Sequence, residues 1–130
     1  MGDYAEVIDR LRQPSRELRR AAPDAWTGFA RLHDAAMADG VIPARIKELL
    51  ALAIAVVKHC DGCIAYHAKA ALKAGATPQE VAEALAVTAL MDGGPAASSY
   101  GPRAWQAYQE FAAARSASGD PAALSVGEAG

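Results

Sequence analysis

Apolar residues recur at three- and four-residue intervals along most of the chain, and no run alternates with a period of two between turn signals. The pattern therefore predicts helices and no sheet. From Tyr4 to Arg20 the helical period is carried by Val7, Ile8, Leu11 and Leu18. Pro14 removes one amide donor there and is expected to bend or divide the segment, which reads as a weakly held outer helix. A second helix starts at Pro23-Asp24, carries Trp26, Phe29, Leu32, Ala36 and Met37, and stops at Gly40. His33 has no partner close in sequence and is assigned to its surface.

The third helix opens at Pro43 and carries the broadest apolar stripe, Ile46, Leu49, Leu50, Ala53, Ile54 and Val57. That breadth predicts a central helix buried between neighbours, with Glu48 on it partly desolvated. Lys58 and His59 close it, their basic side chains facing its negative end, and Cys60-Asp61-Gly62 turns the chain into a fourth helix that runs to about Ala74. Gly75 is the expected C-terminal cap, and Thr77-Pro78-Gln79-Glu80 is a capping box with proline in the first helical position. A fifth helix with Val81, Leu85, Val87, Thr88 and Leu90 ends at Asp92-Gly93-Gly94-Pro95, where a new helix begins. The last helix carries Trp105, Tyr108 and Phe111. One helical domain is expected over residues 1–115, and residues 116–130, small and without periodicity, read as a disordered tail.

Composition adjusts this picture in two ways. A chain of 130 residues supports one modest core, and much of its 52% apolar content is alanine, which favours helix but carries little area. Association between subunits would supply the missing apolar burial. The formal charge is −2 and no basic block is present, so nucleic acid is not expected as a partner. Arg10, Arg12, Arg16, Arg19 and Arg20 are diluted by Asp9 and Glu17 and read as a solvated helix face. Neither a secretory leader nor a membrane-spanning run is evident, so a cytoplasmic protein is expected. In a reducing compartment, a close cysteine pair points to redox chemistry or metal binding.

The unusual chemistry lies between Glu48 and His67. Cys60 and Cys63 are three positions apart, Cys63 and His67 four, so a helix starting near Cys60 puts all three on one face. Unpaired amides at a helix N-terminus favour a thiolate, which by this argument makes Cys60 the more acidic of the two. His67 is placed to take the Cys63 proton, and Glu48, a buried acid in need of a partner, to orient His67 from the neighbouring helix. Such a pair closes a disulfide easily and needs no bound cofactor. With peroxide, one thiolate would form a sulfenic acid that the other condenses with, and an external reductant would reopen the bond.

Glu48, eleven residues, Cys60-Asp61-Gly62-Cys63, three residues and His67 together resemble the signature of the alkylhydroperoxidase D-like proteins of the carboxymuconolactone decarboxylase superfamily. The likeness extends through Gly75–Glu80 and Gly93-Gly94-Pro95, roughly residues 23 to 112. It implies an all-α bundle of about six helices, assembled as a trimer or hexamer. It also implies a thiol-dependent activity on hydroperoxides or disulfides, in antioxidant defence, with an external thiol or dithiol as reductant. It makes Cys63 the peroxide-attacking thiol, Cys60 its disulfide partner, and Glu48 and His67 the proton relay. Peroxidase members can carry a further histidine between the cysteines, where this chain has Gly62. His59 is the alternative proton-transfer group, or simply a cap on the preceding helix.

Three rival readings remain at this level. Zinc held by Cys60, Cys63, His67 and either Glu48 or His59 would use suitable ligands, but three of them come from one short helix. A lactone decarboxylase would share the superfamily, although that branch is not marked by the cysteine pair. A non-catalytic assembly would suit the alanine-rich helices.

Overall fold

The computed structural model describes residues 2–119, and among them every regular element is helical. The order is α1 (Asp3–Ala21), α2 (Pro23–Met37), α3 (Ala44–Val57), α4 (Asp61–Lys73), α5 (Pro78–Asp92), a π-helical turn (Ala96–Tyr100) and α6 (Gly101–Ala117). No helix among the described residues is long and apolar enough to cross a membrane.

Local chemistry accounts for the boundaries. At the start of α5, Thr77 Oγ1 accepts the Glu80 N–H at 3.1 Å while Glu80 Oε1 accepts the Thr77 N–H at 3.0 Å, completing the capping box. The other Glu80 oxygen accepts from Arg45 Nε at 3.1 Å, which ties the first turn of α3 to the start of α5. Helices α3 and α4 end in the same way. Cys60 N–H reaches back to Ala55 O and His59 N–H to Val56 O, both at 3.1 Å, and Ala76 and Gly75 repeat the pattern on Ala71 and Leu72. This motif needs one residue with positive φ, which is Gly75 at +93° in α4 but His59 at +55° in α3.

Helix α4 occupies the middle. Ile64, Ala65, Ala68 and Leu72 are buried against Leu49, Leu52 and Val56 of α3, Ala104, Ala107, Tyr108 and Phe111 of α6, and Tyr4 and Ile8 of α1. Its alanines let three helices approach closely, and each large aliphatic so buried contributes about 1.5–3 kcal/mol. The central position predicted for α3 thus falls to α4. The α3 stripe divides, with Glu48, Leu49, Leu52, Ala55 and Val56 facing inward and Leu50, Ile54 and Val57 left exposed on the single subunit. A stripe wider than one neighbour can cover has to face in two directions.

Two further expectations change. Helix α1 runs unbroken through Pro14, which lies on the exposed side, and its first half is firmly held rather than weak. Tyr4 and Ile8 are buried, and the Tyr4 N–H donates to Glu110 Oε2 at 3.0 Å. Helix α6 continues past residue 115 to Ala117, and residues 120–130 of the expected tail lie outside the described residues. His33 is on the surface as expected, though it does have a neighbour, Asp34 Oδ1, at 3.4 Å.

After the Asp92-Gly93-Gly94-Pro95 break the new helix begins as a π turn, closed by the Gly101 N–H on Ala96 O. A side chain on Gly101 would run into that carbonyl, so the turn requires glycine there. Tyr108 Oη donates to Ala76 O at 2.7 Å and Arg115 Nη1 to Leu72 O at 3.2 Å, so α6 satisfies carbonyls at the C-terminal end of α4.

Candidate functional site

The first turn of α4 gathers the residues singled out in the sequence. Cys60 is the N-cap, in extended conformation, and its Sγ accepts the Cys63 N–H at 3.2 Å. Cys60 and Cys63 are joined in a disulfide with their Cα atoms 5.2 Å apart. The two sulfurs sit in different surroundings, since Cys60 is half-buried and Cys63 is exposed. Cys60 therefore occupies the amide-rich helix end, and Cys63 is the residue an outside molecule meets first.

Glu48 arrives from the packed side of α3, 8% exposed, and its Oε2 lies 2.8 Å from Nδ1 of His67. An ionised carboxylate only accepts, so this contact places the proton on Nδ1 and leaves Nε2 to exchange protons. His67 is one helical turn beyond Cys63, so the pair stands on the face that carries the exposed cysteine.

A second set of side chains surrounds Asp61, the residue between Cys60 and Gly62. Arg103 Nη1 donates to Asp61 Oδ2 at 3.2 Å, and Tyr4 Oη donates to Oδ1 at 3.4 Å. Burial and the neighbouring Asp61 charge push the Tyr4 phenol up to about 12, and Asp61 raises the Arg103 guanidinium in turn. The pairing offsets a negative charge that would otherwise oppose thiolate formation beside both sulfurs. Leu11 of α1 lies over Gly62, 3.2 Å from where a side chain there would begin.

His59 does not hold its ring at the end of α3. Its backbone closes the helix, while the ring stacks on Tyr100 with centroids 4.3 Å apart and planes 5° from parallel, and Nε2 lies 3.8 Å from Asp92 Oδ2. The Arg103 guanidinium lies 4.4 Å from the centre of the same Tyr100 ring. Tyr4, Asp92, Tyr100 and Arg103 had no local signal that could have placed them here. Only the glycine–proline break before the π turn hinted at special geometry. Among the described residues, no group of three or more His, Cys, Asp and Glu side chains converges as metal ligands would.

This fold and site can be set beside known proteins. A protein of Cupriavidus necator is 43% identical over 95 residues, covering 71% of this chain and 84% of that relative, and carries no functional name. An uncharacterised protein encoded in the cox locus of Paracoccus denitrificans is 39% identical over 80 residues, covering 62% of this chain and 72% of its own length. The crystal structure of the apo form of a carboxymuconolactone decarboxylase family protein from Legionella pneumophila superposes with a TM-score of 0.80 at 35% identity, covering 83% of this chain and 96% of that one. The sequence profile of the carboxymuconolactone decarboxylase family matches residues 23–113, from the start of α2 to within α6. With sequence and architecture in agreement, the chain belongs to the carboxymuconolactone decarboxylase family.

Proposed function

We propose that this chain is a thiol oxidoreductase of the alkylhydroperoxidase D-like branch, in which Cys60 and Cys63 cycle between dithiol and disulfide. The observation that carries the reading is the disulfide seated at the N-cap of α4, its outer cysteine one turn from a histidine held at 2.8 Å by a buried carboxylate. His67 takes the Cys63 proton through Nε2, and Glu48 stabilises the imidazolium that results.

In the oxidative half-reaction the Cys63 thiolate attacks the O–O bond of a hydroperoxide. The S–O bond forms, the O–O bond breaks, and the alkoxide leaves with a proton as alcohol. The Cys60 thiolate then attacks the sulfenic sulfur, forming the disulfide and releasing hydroxide, which is protonated to water. A disulfide substrate would enter the same cycle by exchange. In the reductive half-reaction an external dithiol, small or carried on a protein, opens the bond at exposed Cys63 and leaves with the oxidising equivalents. The exposure of Cys63 and the amide bonded to Cys60 support these roles.

The same reading puts the protein in a reducing, cytoplasmic compartment and in a trimer or hexamer. The apolar residues left exposed on α2, α3 and α5 support the assembly.

Stopped-flow oxidation of the reduced chain by hydrogen peroxide and by an organic hydroperoxide, with thiol counting, tests the proposal. Two thiols per chain are expected to disappear with each equivalent of peroxide, and Cys60→Ser or Cys63→Ser to stop turnover. Undiminished turnover in either variant would refute it.

A further inference from the structure

Helix α1 precedes the stretch that the family profile matches, residues 23–113, yet it packs on α4, where the cysteines lie. Two of its side chains meet the two residues between the sulfurs. Tyr4 Oη donates to Asp61 Oδ1 at 3.4 Å, and Leu11 covers Gly62 so closely that its Cδ1 is 3.2 Å from where a side chain at 62 would begin. Tyr4 is itself fixed, since its ring is buried and its backbone N–H donates to Glu110 Oε2 of α6 at 3.0 Å. Helix α6 also brings Arg103 to the same Asp61 carboxylate, with Nη1 3.2 Å from Oδ2 and 3.4 Å from Oδ1.

The first turn of a helix ordinarily frays, because its leading N–H groups have no partner within the helix. Here it is held from several directions. Cys60 is tied to α3 by its N–H on Ala55 O at 3.1 Å, Asp61 is tied to α1 and α6, and Gly62 lies under α1, while Cys63 keeps the exposed side. The disulfide adds a covalent link between the N-cap and the third residue of the turn, and once that link opens these non-covalent contacts are what remains.

We infer that Tyr4 and Leu11 of α1 are positioning residues for the cysteine pair: they hold the Asp61-Gly62 turn in its disulfide-forming arrangement while the bond is open, and so set how strongly the chain favours disulfide over dithiol. This role rests on the dithiol–disulfide cycle proposed above and adds to it what sets the equilibrium.

Exchange with a dithiol shows why the turn matters. A dithiothreitol thiolate attacks Cys63 Sγ, an S–S bond forms to the attacking sulfur, and the Cys63–Cys60 bond breaks with its electron pair going to Cys60, which takes up a proton. The second dithiothreitol thiolate then attacks its own sulfur in the mixed disulfide, closing the reductant's ring and releasing Cys63, which is protonated in turn. The reverse reaction requires Cys60 to meet Cys63 again. Two thiols on a fixed turn meet at a higher effective concentration than two on a frayed helix end, so holding the turn favours the disulfide. Burial and the Asp61 charge push the Tyr4 phenol up to about 12, so its hydroxyl stays a donor throughout the range in which thiols titrate. By reciprocity, contacts that favour the disulfide are favoured by it, and α1 is held more loosely on the reduced chain.

The test is the dithiol–disulfide equilibrium at neutral pH in graded buffers of reduced and oxidised dithiothreitol or glutathione, read by thiol counting for the wild type, Tyr4→Phe, Leu11→Ala and the double variant. Neither substitution alters a charge there. Phenylalanine keeps the buried ring and Leu11 is already 41% exposed, so circular dichroism is expected to show an intact fold, and each single variant can be read by itself. The double variant should lower the equilibrium constant for disulfide formation about tenfold, a rise of ~30 mV in potential, and Tyr4→Phe alone should lower it about threefold. Hydrogen exchange at the α1 amides should be faster in the reduced wild type than in the oxidised one. Potentials equal to wild type in all three variants, or α1 exchange indifferent to redox state, would overturn the inference. So would an equal shift in Thr77→Ala, which weakens the fold at the start of α5, because the potential would then follow overall stability. No hydroperoxide enters these measurements. A chain that consumes no hydroperoxide but has a Tyr4- and Leu11-dependent potential sinks the peroxidase reading and spares the positioning role, and hydroperoxide turnover with an insensitive potential does the reverse.

Discussion

Glu48 carries a carboxylate to the packed side of α3, and the 2.8 Å contact with His67 is what offsets its desolvation. Removing the imidazole with His67→Ala leaves that charge unpartnered and should cost about 1–3 kcal/mol in chemical denaturation, more than Glu48→Gln, which keeps shape and an acceptor. Both variants are expected to slow alkylation of Cys63 near neutral pH, by on the order of 100-fold if the pair is its base, and wild-type rates in both would remove the relay. The buried phenols predict an alkaline limit. Burial, with Glu80 adding to it, pushes Tyr108 up to about 12, as Tyr4 is pushed by burial and Asp61. A phenol whose folded value lies above its unfolded one stabilises the fold fully below pH 10, and that contribution is lost as pH rises through about 12. Thermal melts from pH 9 to 12 should therefore show a fall beyond pH 10 that is shallower in Tyr108→Phe, and an identical slope would argue against it. The Glu48–His67 contact was legible from residue type and helical register, whereas the Asp61, Arg103 and Tyr4 set spans up to 99 positions of sequence and had no local mark.

Among the elements, the boundaries written in short-range chemistry were the readable ones. The capping box of α5 and the Gly75 cap depend on groups within a few residues of each other, and both stand where the sequence put them. Thr77→Ala should accordingly cost about 1 kcal/mol without moving the site, measurable as a lower unfolding midpoint with unchanged thiol reactivity. The π turn is different. Gly101→Ala would press a methyl against the Ala96 carbonyl, and opening the turn would shift Tyr100 away from His59. A loss of stability is expected, measurable as a lower unfolding midpoint, and an unchanged midpoint would show that the turn tolerates the methyl. The shift of the central role from α3 to α4 has a simple cause: width of apolar stripe measures how much surface wants cover, while alanine content decides how many neighbours can come close.

At the scale of the molecule, the single subunit leaves a broad apolar surface uncovered. Helix α2 buries no residue, Phe29 on it is 64% exposed, and Leu90 on α5 is 81% exposed. On the proposed assembly this is the surface that neighbouring subunits would cover. Analytical ultracentrifugation is expected to give a mass that is a multiple of 13.5 kDa, three or six times it on the proposed assembly. Phe29→Glu and Leu90→Glu should reduce that mass without loss of helix, because neither side chain packs into its own subunit, and a monomeric wild type would reject the assembly.

The sequence by itself determined the helical class, most helix boundaries and the C-x-x-C pair with its histidine and buried acid, because each depends on periodicity or on spacing within one or two helices. The tertiary structure decided which helix lies in the middle, which half of the α3 stripe is hidden, and how Asp92, Tyr100 and Arg103 come to surround His59 and Asp61. Those outcomes follow from how α5 and α6 fold back over α3 and α4, a matter of volume and close approach between distant segments that no local pattern encodes.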